Sequence, residues 1–106
     1  MQTQFCFQPR AANQNPPITQ VVGAGTGAQA TVAVPIVETE CTLRIVNDGP
    51  ASLAWCYGNQ AGLTLANGVF MLGNTVETFN LPAGIATLSF IVAAGNNFRV
   101  HFGDGA

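Results

Sequence analysis

The sequence predicts an all-β protein with a single core, built as a sandwich or barrel of short strands. Turn-forming residues recur roughly every 6–13 residues along the 106-residue chain, and no segment shows the 3.6-residue apolar period of an amphipathic helix. The β-branched and aromatic residues between these turns are typical of strands. Short strands at this spacing favour a sandwich or a barrel, and the length favours one domain.

Residues 1–20 are expected to form an extended N-terminal arm, and residues 21–106 a β-sandwich domain. The arm opens with Phe5 and Phe7 alternating with glutamine and cysteine. Three prolines follow among polar residues, and proline prevents helix and favours extended backbone. We expect the two phenylalanines to anchor the arm on a partner. The arm residues predicted to lie in an interface are Phe5, Phe7, Arg10, Pro16 and Pro17.

The glycine-rich segment VVGAGTGA, residues 21–28, is expected to be a flexible loop between arm and body. Its spacing is similar to a dinucleotide-binding fingerprint, but that motif requires a helix directly after the glycines. The residues that follow, TVAVP, alternate like a strand and end in Pro35. We therefore predict no nucleotide site and no cofactor.

Two strands, CTLRIVN over residues 41–47 and ASLAWCYG over residues 51–58, are predicted to pair as a hairpin around an Asn-Asp-Gly-Pro turn. That hairpin would place Cys41 opposite Cys56, with Cβ atoms about 5 Å apart. A disulfide there would be strained, because bridged Cβ atoms usually lie about 3.5–4.5 Å apart. No secretory signal peptide is visible, so we expect all three cysteines to be free thiols in a reducing compartment.

The remaining strands are predicted in LTLANGVFML, TVETFNL, ATLSFIVAA and FRVHF. Within the first of these, Asn67-Gly68 is a strong signal for a hairpin turn because both residues tolerate positive φ. Leu-Pro-Ala-Gly and Gly-Asn-Asn form the later turns. In the last two strands, alternation predicts core-facing side chains, with Arg99 and His101 directed outward. The core-facing residues are Leu88, Phe90, Val92, Phe98, Val100 and Phe102.

Charge is the most unusual feature of the composition. Only 8% of the residues are charged and none is lysine, whereas soluble domains carry about 25%. Three long stretches are uncharged: Ala11–Val37, Gly49–Val76 and Thr78–Phe98. Stable interfaces are depleted in charge and rich in apolar area, so this pattern favours a surface largely covered by partners. A soluble domain with a neutral surface is the alternative.

Several classes of partner are disfavoured by the same composition. The net charge is −2, and the three arginines are scattered, whereas binding to nucleic-acid phosphates or to anionic lipid requires clustered cations. Glycine, proline, asparagine and glutamine interrupt the uncharged stretches, so no transmembrane helix is expected. We therefore expect neither a nucleic-acid partner nor a membrane.

No metal site or catalytic site is predicted. Four residues could ligate zinc (Cys6, Cys41, Cys56 and His101), but their spacing is unlike that of a zinc motif. His101 has no sequence neighbours that would form a catalytic arrangement. Glu38 and Glu40 would share a face of an extended strand, which favours a charged edge strand over a paired acid and base. We expect a non-enzymatic protein.

Trp55 and Tyr57 are predicted to share one face of a strand. Such a pair can stack on a sugar ring, but more often it fills a core or an interface. The neighbouring Leu53, Ala54 and Cys56 make both faces of the strand apolar. We therefore predict a strand covered by the second sheet on one side and by another subunit on the other, with Trp55 and Tyr57 as candidate interface residues.

Residues 42–106 resemble small virion proteins of tailed bacteriophages. The resemblance lies in LRIVNDGPASLAWCYGN and in LTLANGVFMLGNTVETFNLPAGIATLSFIVAAGNNFRVHFGDG. The shared features are a strand ending in Asn-x-Gly, a return strand with an aromatic residue, Asn-Gly before an apolar stretch, a Leu-Pro-x-Gly turn and a glycine-rich acidic end. The resemblance implies a jelly-roll or Ig-like sandwich and no catalytic residues.

The same resemblance implies a structural role in the virion. The leading hypothesis is a homotrimeric capsid decoration, or cement, protein that bridges subunits of the major capsid protein and is assembled in the bacterial host cytoplasm. A head–tail connector or tail component is an alternative. A carbohydrate-binding β-sandwich module that uses Trp55 and Tyr57 is an alternative from another class.

Overall fold

The structure, a computed structural model, describes residues 8–9, 20–35 and 37–104. This part of the chain forms nine strands in two antiparallel sheets and contains no helix. The predicted all-β class is therefore confirmed. The strands are β1 (Gln8–Pro9), β2 (Gln20–Ala24), β3 (Gln29–Ala33), β4 (Cys41–Asp48), β5 (Leu53–Tyr57), β6 (Val69–Met71), β7 (Val76–Leu81), β8 (Thr87–Val92) and β9 (Asn97–Asp104).

The two sheets contain interleaved strands. Sheet A has the order β2-β9-β4-β7, with the short β1 also beside β9, and sheet B has the order β3-β8-β5-β6. The strand pairs are nested: β5 pairs with β6, β4 with β7, β3 with β8 and β2 with β9. Two further pairs, β4 with β9 and β5 with β8, join neighbouring turns of this ribbon.

The core lies between the inner faces of the two sheets. Alternate residues of β4 are buried there, and so are the residues of β8 and β9 that sequence alternation predicted to face the core. Phe90 of sheet B stacks on Phe98 of sheet A with ring centroids 4.4 Å apart, and Trp55 meets Phe79 edge to face at 4.8 Å. Each such large apolar side chain contributes about 1.5–3 kcal/mol on full burial, so these inner faces hold the sheets together.

The predicted hairpin between residues 41–47 and residues 51–58 is wrong. Strand β4 lies in sheet A and β5 in sheet B. Cys41 is paired with Leu81 of β7, and Cys56 with Ser89 of β8. The segment between β4 and β5 crosses from sheet A to sheet B, and the side chains of Asn47 and Asn96 bind its backbone at Ala51. The sequence therefore predicted both strands correctly but not their partners.

Asn67-Gly68 is not a hairpin turn between two strands either. Both backbone N–H groups donate to the Thr64 carbonyl oxygen, and the Asn67 side chain closes the same loop by accepting from the Thr64 N–H at 2.7 Å. Neither residue has positive φ. The turn that does use a positive φ outside glycine joins β6 to β7 at Asn74, whose φ is 56°.

The glycine-rich segment is partly a strand, which corrects the expectation of a loop over residues 21–28. Strand β2 continues to Ala24 and pairs with β9. At Gly23 the Phe98 ring packs directly on the backbone, and a Cβ atom there would lie 2.2 Å from it. The close approach of an aromatic ring therefore explains this glycine.

A buried amide pair closes one end of the two sheets. Asn96 donates through Nδ2 to Asn47 Oδ1 at 2.9 Å. Asn47 Nδ2 donates in turn to the carbonyl oxygens of Ala51 at 2.9 Å and Leu72 at 3.0 Å. The Gly25 N–H donates to the Asn96 carbonyl oxygen at 2.7 Å. The two side chains thus join the β4–β5, β6–β7 and β8–β9 connections, and the backbone of Asn96 adds the β2–β3 connection.

Asn47→Ala is expected to lower the free energy of unfolding by about 2–3 kcal/mol, because buried donors and acceptors lose their partners. Urea denaturation measures this change. Asn97→Ala is the matched control, since Asn97 is exposed in the neighbouring strand, and it should change stability by at most about 0.5 kcal/mol. Equal effects of the two substitutions would contradict a stabilising role for the amide pair.

Candidate interaction surface

The two sheets differ in charge. The strands of sheet B contain no charged residue, whereas Arg44, Asp48 and Arg99 lie on the outer face of sheet A. The uncharged stretches of the sequence supply β3, β5, β6 and β8, which together are the whole of sheet B. Fragments that are far apart in sequence thus form one neutral sheet.

A row of apolar side chains crosses the outer face of sheet B. The register aligns Phe70 of β6 with Ala54 of β5, and Ala54 with Ile91 of β8. Directly paired residues share a face of the sheet. Phe70, a large apolar residue, is 50% exposed, and Ile91 is half-buried.

Leu72 extends this apolar row at the corner after β6. It follows Phe70 by two residues, the spacing that returns an extended chain to the same face, and its side chain is 61% exposed. Its carbonyl oxygen accepts from Asn47 Nδ2 at 3.0 Å and from Thr75 Oγ1 at 2.6 Å. The backbone that carries this exposed leucine is therefore held from the interior.

A recess lies beside these projecting side chains. Its volume is about 330 Å³, and Leu65 and Ile91 contribute the largest apolar side chains of its wall. Leu65 is itself 46% exposed. We call the outer surface formed by Leu65, Phe70, Leu72, Ile91, Ala93 and Ala94 the apolar patch. The complete lining of the recess is Gly27, Ser52, Leu65, Ile91, Val92, Ala93 and Ala94.

The loop of residues 58–68 covers the outer face of β5 between Phe70 and Ile91, including Ala54. Ser89 Oγ donates to the Gly58 carbonyl oxygen at 2.7 Å and accepts from the Gln60 N–H at 3.3 Å. Leu63 of this loop is buried. The prediction that both faces of β5 are covered is correct. The outer face at Ala54, however, is covered by the chain's own loop, whereas the sequence predicted another subunit there.

Trp55 and Tyr57 share one face of β5, as predicted, but that face is the inner one. Trp55 is 1% exposed and contacts the Tyr57 ring edge to face at 5.2 Å. Tyr57 lies at the margin of the core, where its hydroxyl donates to the Asn80 carbonyl oxygen of sheet A. Burial raises the pKa of the Tyr57 hydroxyl above its ordinary value of 10.0. Of the two predicted interface residues, only Tyr57 reaches the surface.

The arm residues predicted to make contacts lie outside the described part of the chain. These are Phe5, Phe7, Arg10, Pro16 and Pro17. From residues 1–20 the structure describes Gln8, Pro9 and Gln20. Strand β1 pairs with the end of β9, Gln8 opposite Asp104 and Pro9 opposite Gly103.

Three charged residues of sheet A (Arg44, Asp48 and Arg99) form a small polar cluster with His101 on its outer face, whereas Glu77 is exposed on the edge strand β7. Arg44 is directly opposite His101, and Arg99 lies 3.6 Å from Asp48. Burial lowers the pKa of His101 below its ordinary value of 6.5, and repulsion from Arg44 and Arg99 lowers it further. Glu38 and Glu40, expected on a strand, lie exposed in the connection from β3 to β4.

Of the four candidate metal ligands, Cys6 lies outside the described residues, and the other three are dispersed. Cys41 is buried in sheet A, and Cys56 is half-buried in sheet B. His101 lies on the outer face of sheet A. Over the described ranges, no three His, Cys, Asp or Glu side chains are placed to share a metal ion. Cys56 borders a second recess of about 310 Å³ with Gln60, Ala61, Gly62, Leu63 and Asn67.

No protein-family model, curated protein or solved structure matches this chain. Among residues 8–9, 20–35 and 37–104, there is no helix long and apolar enough to cross a bilayer.

The two described cysteines should differ in reactivity. Under native conditions iodoacetamide is expected to modify Cys56 while Cys41 stays protected, because alkylation requires an accessible thiolate. In urea both should react. Peptide mapping after each treatment measures this, and equal native rates at the two cysteines would contradict the placement of Cys41 in the core.

His101 should make stability fall as the pH decreases below the ordinary pKa of 6.5. The unfolded chain binds a proton near the ordinary pKa of 6.5, whereas the folded chain resists protonation until lower pH. The contribution of His101 to the free energy of unfolding is therefore fully present well above pH 6.5 and is lost as the pH decreases below it. His101 is the single histidine, so His101→Gln should flatten this slope in urea titrations; an unchanged slope would contradict the assignment.

Proposed function

We propose that this chain is a non-enzymatic structural protein of a tailed-phage virion, acting as a capsid decoration protein that bridges subunits of the major capsid protein. The observation that carries the assembly role is the separation of charge: sheet B is neutral and bears the apolar patch, while sheet A carries Arg44, Asp48 and Arg99 on its outer face and Glu77 exposed on its edge strand β7. Interface cores are depleted in charge relative to other surfaces. The phage assignment itself comes from the resemblance of residues 42–106.

We further propose that the two sheets form a jelly-roll sandwich rather than an Ig-like one. The support is the nesting of pairs, in which β5 with β6 is followed outward by β4 with β7, β3 with β8 and β2 with β9. A long antiparallel ribbon that curls on itself produces such nesting, and eight strands in two sheets are characteristic of the jelly roll. That architecture occurs in viral capsid proteins.

The oligomer that we propose is a homotrimer located on the capsid and assembled in the bacterial host cytoplasm. In this proposal the N-terminal arm, residues 1–20, contacts a neighbouring subunit through Phe5 and Phe7. A head–tail connector or tail component would use the same neutral sheet, so position in the particle separates these roles. A carbohydrate-binding role is not favoured, because a sugar stacks on an exposed aromatic face and Trp55 is buried.

The proposal is tested on phage particles purified from the source of this sequence by density-gradient centrifugation. The chain is expected to co-band with the particles in a fixed ratio to the major capsid protein, measured by quantitative peptide mass spectrometry. Cryo-microscopy of the same band should place it on the capsid exterior. Absence of the chain from intact particles would refute a virion role, and density confined to the neck or tail would refute decoration.

A further inference from the structure

We propose that the apolar patch is the contact between copies of this chain, with sheet B of a neighbouring copy as its occupant. This inference rests on the proposed assembly function and specifies the surface that performs it. It commits to self-association through sheet B, whatever larger structure the oligomer then joins.

Charge is the first reason to assign a second copy. A partner that placed a charge against the neutral patch would leave that charge desolvated and unpaired, which costs several kcal/mol. The partner surface must therefore be uncharged over the whole contact. The outer face of sheet B supplies such a surface in every copy, so two copies that meet through it bury no charged strand residue.

Shape is the second reason. The patch combines projecting side chains, Phe70 and Leu72, with a recess of about 330 Å³ bordered by Leu65 and Ile91. A surface that carries both a projection and a recess can join copies into a closed ring, because the projection of each copy can enter the recess of the next. Interface hot spots are large side chains that fill such pockets.

Rigidity is the third reason. Leu72 is held through its carbonyl oxygen by Asn47 and Thr75, so its side chain is exposed on backbone that is already ordered. Ile91 lies within β8, between β3 and β5. Association then orders little additional backbone, and this lowers the entropic cost of binding.

The outer face of sheet A is a poorer choice for the same contact. It exposes Val22, but Val22 is directly opposite Arg99, which is paired with Asp48. Burying that face would remove an exposed ion pair from water without the geometry that offsets desolvation. Val22 therefore offers a matched control: it is a large apolar residue, 58% exposed, on the opposite sheet.

Sedimentation velocity and native mass spectrometry of the full chain, over a concentration series, test the proposal. The wild-type chain is expected to self-associate. Leu72→Glu should weaken that association by at least about tenfold, because it places an unpaired carboxylate in the contact. Ala94→Glu, in an exposed turn at the recess, should do the same independently. Val22→Glu adds an identical charge on sheet A and should associate like the wild type.

Circular dichroism and thermal melting establish that each variant is folded, and if Leu72→Glu does not fold, Ala94→Glu decides. The proposal is overturned if both patch variants associate like the wild type, if Val22→Glu is the variant that dissociates, or if the wild-type chain stays monomeric up to its solubility limit. The virion proposal is judged separately by co-banding. A chain that co-bands but whose patch variants associate normally would retain the proposed function and lose this inference.

Discussion

The buried pair formed by Asn47 and Asn96 is the constraint on which the described architecture depends. Every connection that crosses between two packed sheets brings backbone polar groups to the end of an apolar core, where each unpaired group costs about 1–3 kcal/mol. Two amide side chains satisfy several of these groups together. Gly49 follows from the same arrangement, because a Cβ atom there would lie 1.9 Å from Asn96 Oδ1. The amide pair thus restricts which residues can occupy the connections at this end of the core.

The interior constraint also shapes the surface. Asn47 continues the inward alternation of β4 and is buried like the apolar residues before it. One of its hydrogen bonds ends on the Leu72 carbonyl oxygen, so an interaction in the core fixes the corner from which an apolar side chain projects. Loss of the amide pair would therefore alter the apolar patch as well as the stability of the fold, since the two share the Leu72 backbone.

Alternation in the sequence was sufficient to predict β4, β7, β8 and β9 and the inward residues of the last two. It could not predict strand neighbours, because alternation specifies a face and leaves the partner open. Asn47 shows the difficulty: an asparagine beside Asp-Gly-Pro indicates a tight turn, and only the burial of its side chain shows that the chain crosses to the other sheet. Asn67-Gly68 similarly satisfies the hairpin pattern, yet loop 58–68 uses Asn67 to bond its own backbone. No residue of the apolar patch was predicted as an interface residue; the one signal for Phe70, Leu72 and Leu65 was the uncharged stretch that contains them.

The uncharged stretches gain their meaning from the topology. In the sequence they are compatible with a neutral surface spread over the whole molecule, and that arrangement would give no preferred direction of contact. The nested pairing builds sheet B entirely from these stretches and leaves Arg44, Arg99 and Asp48 on the outer face of sheet A. Charged residues favour solubility where they face water and oppose association where they would be buried. Because no strand of sheet B carries a charge, that sheet meets the second requirement, and in the proposed self-association it would face the partner copy while the outer face of sheet A stays in water.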